Sequence, residues 1–123
     1  MPISYRIDEA RRRLYTRAEG LVTYAEMRAH VNTDLSAEAA TYGELIDCSN
    51  ATTNVTGAEI RQLAMERKKM DARQRRPGPV AVVATDSVFF GMLRMYDALT
   101  ESIRSMQVFR DVQKAERWLD SVT

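Results

Sequence analysis

The sequence predicts an α/β fold: a mixed β-sheet that opens with a hairpin and continues as alternating helices and parallel strands, in the order ββαβαβαβα. Three observations carry this. Ile3, Tyr5 and Ile7 alternate with polar residues, which is the period of a half-buried strand. Val80-Ala81-Val82-Val83-Ala84 is an unbroken apolar run, the pattern of a parallel strand covered on both faces. Between such runs lie capped helical segments of the length that a right-handed crossover needs.

The elements follow in order. After the first strand, Asp8-Glu9-Ala10-Arg11 is a polar turn, and Leu14-Tyr15-Thr16-Arg17-Ala18 returns as the second strand of the hairpin. Thr23 with Glu26 forms a capping box, and Tyr24, Met27, Val31 and Leu35 share one face of the helix it opens. Ser36 to Gly43 is a polar connection to a short buried strand, Leu45–Ser49. A second helix begins near Thr56, with Ile60, Leu63 and Ala64 inward, and Pro77-Gly78-Pro79 stops it. The Val80–Ala84 strand is expected at the centre of the sheet, parallel to Leu45–Ser49. Asp86 caps a third helix from about Ser87 to Ile103. Met106–Phe109 is the last strand, and Asp111 caps a final helix carrying Val112, Ala115, Trp118, Leu119 and Val122.

At 123 residues the chain is read as one domain, 1–123, without low-complexity segments or repeats. A net charge of +1 gives no reason to expect specific nucleic-acid binding. No apolar stretch approaches the roughly 20 residues of a membrane span. The first residues lack a signal-peptide pattern, and the lone Cys48 excludes an internal disulfide; both fit a cytoplasmic location.

Leu45-Ile46-Asp47-Cys48-Ser49, followed by Thr56-Gly57-Ala58-Glu59-Ile60, is the most informative pair of segments. A strand ends in a carboxylate and a hydroxyl, and a helix then starts on a threonine. The unpaired amides and positive dipole of that helix start would favour an anion. Thr56 has two readings, a cap completed by Glu59 or a phosphorylation switch. Asp47 and Asp86 stand at strand ends, where open α/β sheets place ligands, but a capping Asp and an Asp that receives backbone amides explain both.

Cys48 reads as core and His30 as helix surface. With one of each, neither a thiol catalyst nor a structural zinc site has the residues it needs. Glu66 to Arg76 holds six bases, Arg67, Lys68, Lys69, Arg73, Arg75 and Arg76, against two acids. This is a candidate patch for acidic partners, or a solvated helix end whose cations complement its dipole. Val88 to Tyr96 is apolar on more than one face, with Phe90 and Met95 beside Gly91. That suggests a homodimer contact, a partner groove or a lipid-lined pocket as well as core packing.

In order along the chain, Gly20-Leu21-Val22-Thr23, Leu45-Ile46-Asp47, Thr56-Gly57-Ala58-Glu59-Ile60-Arg61, Phe90-Gly91-Met92-Leu93-Arg94-Met95-Tyr96, Val108-Phe109-Arg110-Asp111 and Ala115-Glu116-Arg117-Trp118-Leu119 carry a resemblance. The chain resembles the SpoIIAA-like, or STAS/SEC14-like, family, to which bacterial anti-sigma-factor antagonists are distantly related. The resemblance implies a small α/β sandwich, usually without an enzymatic activity. In the antagonists the second helix begins Asp-Ser-Ser-Gly and one serine is phosphorylated. Here the segment reads Asn54-Val55-Thr56-Gly57, which keeps a hydroxyl before the glycine and lacks the acid and the other serine.

The function expected is therefore a non-enzymatic interaction or regulatory domain with no cofactor and no metal. Asp47, Ser49, Thr56, Gly57, Phe90 and Met95 are its candidate contact or switch residues. The alternative is a small-ligand or lipid carrier, which needs a pocket of roughly 300 Å³ or more lined by Met and Phe.

Overall fold

The computed structural model describes residues 3–33, 36, 38–71, 78–102 and 105–123. The elements are β1 (Ile3–Asp8), β2 (Arg13–Val22), α1 (Tyr24–Val31), a 3-10 turn (Ala39–Thr41), β3 (Gly43–Thr53), α2 (Gly57–Asp71), β4 (Val80–Ala84), α3 (Ser87–Thr100), β5 (Met106–Phe109) and α4 (Val112–Val122). The order is that expected. Leu35, placed on the first helix by periodicity, lies outside the described residues, as do Ile103 and Pro77.

The strands form one sheet in sequence order, β1-β2-β3-β4-β5. β1 and β2 are antiparallel, and every later pairing is parallel. β4 is an interior strand, parallel to β3 on one side and β5 on the other. All five of its residues are buried, as an unbroken apolar run requires. β3 occupies the middle of the sheet.

Side-chain alternation splits the core in two. Val80, Val82 and Ala84 face Met27, Ile60, Leu63, Ala64, Phe89 and Tyr96, which come from α1, α2 and α3. Ala81 and Val83 face Ala115 and Leu119 of α4, joined by Leu45. Helices therefore cover both faces. Gly43 lets α4 sit close: a side chain there would meet Thr123 and Leu119 at 3.0 and 3.2 Å.

β3 is longer than expected. The segment after Ser49 does not loop out but continues as strand to Thr53, paired with Glu19 to Val22 of β2. The register steps by one residue between Arg17 and Glu19, so Cys48 and Ser49 together oppose Ala18. This is a β-bulge, and it bends β3 away from β4, whose pairing stops at Cys48 and Ala84. The connection after α1 also differs from its polar reading. Its Ala39 and Tyr42 are buried in a small cluster with Leu14.

Candidate interaction surface

Parallel β2, β3, β4 and β5 all end at the same edge of the sheet, and each is followed directly by a helix. Four helix N-termini therefore gather there. Each is closed by its own side chain. Thr23 Oγ1 accepts from the Glu26 amide while Glu26 accepts from the Thr23 amide. Thr56 and Glu59 repeat the arrangement at 2.9 and 3.2 Å. Asp86 accepts from the Phe89 amide, and Asp111 from the Gln113 amide. At the start of α2, read from the sequence as favourable to an anion, the Thr56 and Glu59 amides are paired and the Glu59 carboxylate supplies negative charge at the dipole's positive end.

Asp47 and Ser49 form one unit. The Ser49 amide and hydroxyl both donate to Asp47 Oδ1, at 3.0 and 2.6 Å, bracing the bulge. From there a chain of contacts crosses the strand ends. Thr85 Oγ1 donates to the Ser49 carbonyl at 2.7 Å, Arg110 Nη1 donates to the Thr85 carbonyl at 3.2 Å, and the Arg110 guanidinium lies 4.1 Å above the Phe90 ring. Three of the expected residues, Asp47, Ser49 and Phe90, are joined this way through two residues, Thr85 and Arg110, that were not among the expected site residues. Val88, on the first turn of α3, is 58% exposed beside Phe89 and Phe90.

Thr56 is exposed and Gly57 half-buried at the start of α2. Met95 Cε lies 3.7 Å from where a side chain on Gly57 would begin, so α3 is seated against this turn. Phe90 and Met95 are half-buried against the core; neither is free, and neither is wholly enclosed. A side chain at Gly91 would touch nothing within 4 Å, so no other part of this chain approaches closely there.

The basic patch lies at the opposite end of α2, a helix of 15 residues and so about 22 Å long. Lys68 and Lys69 are exposed there, and Arg67 is half-buried. Arg73, Arg75 and Arg76 lie outside the described residues. The patch is therefore separate from the strand-end surface.

Cys48 is core, as read, at 3% exposure. Burial foremost, then the charges of Asp47 and Glu44, push its thiol up to about 12. His30 is not a surface residue. Its Nε2 lies 3.0 Å from Glu44 Oε2, the oxygen that also accepts from Thr16 Oγ1 at 2.6 Å. The signal for this cluster was parity: Glu44 shares its strand face with Ile46 and Cys48, and Thr16 shares its own with Leu14 and Ala18. A charge at an inward position must be partnered.

Among the described residues, no group of three or more metal-ligating side chains converges. No described helix is long and apolar enough to cross a membrane. An open groove of about 450 Å³ runs between α3 and β5, lined by Arg94, Asp97, Glu101, Ser105, Met106, Gln107 and Val108. It has the volume a carrier needs, but its described lining is mainly charged and polar, with Met106 and Val108 and no Phe.

A hairpin feeding parallel β3, β4 and β5, with three helices on one face and the last on the other, defines a mixed α/β sandwich of the SpoIIAA-like class. The chain matches no protein-family model and no curated protein. Among solved structures it is similar to an uncharacterized protein of the DUF3478 family, with a SpoIIAA-like fold, from Shewanella loihica PV-4. The two share 20% identity and a TM-score of 0.56, over 95% of this chain and 93% of that one. The resemblance seen in the sequence thus holds at the level of the fold.

Proposed function

We propose that this chain is a non-enzymatic, cytoplasmic interaction domain of regulatory type, which presents its strand-end surface to a protein partner. The observation that carries the reading is the linked array Asp47–Ser49–Thr85–Arg110–Phe90 beside exposed Val88. Polar groups tied to one another around an apolar side chain have the make-up of an interface core and rim. Their fixed geometry lowers the entropy lost on binding. Thr56 sits at the margin of this surface. Phosphorylation there would add about −1.5 to −2 charges next to Glu59 and change what the surface offers. The charged lining of the α3–β5 groove favours this reading over an apolar-ligand carrier.

The test is capture of partners from the native cell on the wild-type chain, Val88→Asp and Lys68→Ala, with mass spectrometry of the bound proteins and of Thr56. A partner held by the wild type and Lys68→Ala and lost by Val88→Asp supports the surface. Equal capture by Val88→Asp overturns it, and a Thr56 found unmodified in both the bound and the unbound fractions removes the switch.

A further inference from the structure

Among the described residues, β5 closes the sheet order with one side unpaired by any strand. The Val80 amide donates to the Ser105 carbonyl at 2.9 Å, and Val80 is level with Met106. Peptide groups alternate in direction along a strand, so those of Met106 and Val108 point outward, away from β4. β5 is short, at four residues, but carries no proline, lysine or inward charge to blunt its edge. The edge is a ready template for another strand.

The groove beside it says which strand. Along α3 the groove carries Arg94 toward one end, Glu101 toward the other and Asp97 between them, while Met106, Gln107 and Val108 form its floor. The three helical residues centre on Asp97 and the three strand residues on Gln107. A two-fold axis through Gln107 and perpendicular to the sheet therefore brings Arg94 of one copy level with Glu101 of the other, close to its Asp97. The same axis sets Met106 opposite Val108 of the second copy, so the outward peptide groups meet in antiparallel register. The axis also brings the two Asp97 carboxylates near each other, so the charge match rests on the two Arg94–Glu101 pairs and the hydrogen-bonding match on Met106 and Val108. Burial, together with the neighbouring Glu101, raises the pKa of Asp97 despite Arg94.

We propose that two copies of this chain associate through β5, antiparallel about a two-fold axis at Gln107, with Arg94 of each copy set against Asp97 and Glu101 of the other. This is an isologous contact that continues one sheet into the next. It uses the charged stretch of α3 that begins one turn after Phe90 on the same stripe of the helix, together with the sheet edge. Its test variants, at positions 94, 97, 101 and 107, lie outside the Asp47–Ser49–Thr85–Arg110–Phe90 array, so failure of one reading is distinguishable from failure of the other.

Sedimentation equilibrium of the full chain tests it. The wild type is expected to dimerise at high micromolar concentration. Arg94→Glu makes the three groove charges all acidic, and the double variant Asp97→Arg, Glu101→Arg makes them all basic. Each alone should dimerise more weakly by more than about tenfold. Mixing the two should restore a dimer containing one of each. Gln107→Cys gives a second measurement that tolerates a poorly folding charge variant. The axis brings the two copies of position 107 together as a close, non-hydrogen-bonded pair, which can form a disulfide under mild oxidation, with buried Cys48 silent. A monomeric wild type, dimers that survive both charge variants, no recovery on mixing, or no covalent dimer through position 107 would each overturn the proposal.

Discussion

His30 Nε2 lies 3.0 Å from Glu44 Oε2, and this contact fastens α1 to the middle strand of the sheet. Glu44 is 6% exposed and Thr16 3%, so the carboxylate has left water, and the imidazole and the hydroxyl are among the groups that partner it. α1 is only eight residues long; it buries Met27, packs Tyr24 and Val31 partly against the core, and gains this contact as a polar tie to the sheet. Arg28 and Glu66, at 3.1 Å, add an exposed link to α2 that is worth little.

Removing one partner of such a cluster is therefore expected to cost more than removing a surface contact. Glu44→Ala strands two groups and should lower stability by about 2–4 kcal/mol, and His30→Ala by about 1–3 kcal/mol. Glu44→Gln keeps hydrogen-bonding capacity and should lose less than Glu44→Ala. Denaturant titration of the three variants checks this ranking. A Glu44→Ala protein as stable as the wild type would show that α1 is held by other means.

Alkaline pH should destabilise the fold in two overlapping steps. Cys48 is pushed from 9.0 up to about 12 by burial, then by Asp47 and Glu44. Tyr42 is raised from 10.0 to about 12, chiefly because its hydroxyl donates to Glu9 at 2.7 Å. Above about pH 9 the unfolded chain releases the Cys48 proton while the folded chain keeps it, so stability falls as pH rises toward 12. Tyr42 adds to the loss above its ordinary value. Denaturation midpoints across the alkaline range check this, and Cys48→Ala should remove the component that begins first. In the folded protein the thiol should also resist alkylation at neutral pH, and it should react once denaturant is added.

Two glycines should respond to alanine with opposite signs. At Gly78 a Cβ would lie 2.1 Å from the Tyr42 carbonyl oxygen and 2.5 Å from that of Thr41, and backbone cannot step aside. Gly78→Ala should cost more than about 2 kcal/mol, because it must pry apart the turn before β3 from the entry to β4. Gly91 is exposed within α3 and meets nothing within 4 Å. Gly91→Ala should stabilise by about 0.5–1 kcal/mol through helix propensity alone. Thermal melts of the pair give the comparison directly.

Thr56 separates a cap from a switch. Thr56→Ala removes the acceptor for the Glu59 amide and should cost about 1 kcal/mol. If capping is its whole role, partner capture by that variant stays at the wild-type level. If it is a switch, Thr56→Glu weakens capture while stability stays near normal, since a helix start tolerates negative charge. Binding and melting measured on the same two variants distinguish the outcomes.

Local chemistry made much of this legible in advance. Each cap, Thr23, Thr56, Asp86 and Asp111, is a hydroxyl or carboxylate preceding a helical period, and each closes its helix as its residue type dictates. Val80–Ala84 announced an interior parallel strand because only burial on both faces tolerates five apolar residues in succession. What the sequence left open depends on residues distant along the chain. The length of β3 beyond Ser49 comes from pairing with β2 across a bulge, and nothing local in Asn50–Thr53 demands a strand. His30 meets Glu44 only because α1 folds back over the sheet, and Asp47 reaches Phe90 only through Thr85 and Arg110, carried in on separate loops. Caps and periods are decided within a few residues. Partners across the sheet are decided by register, crossover and burial, which exist only once the chain has closed on itself.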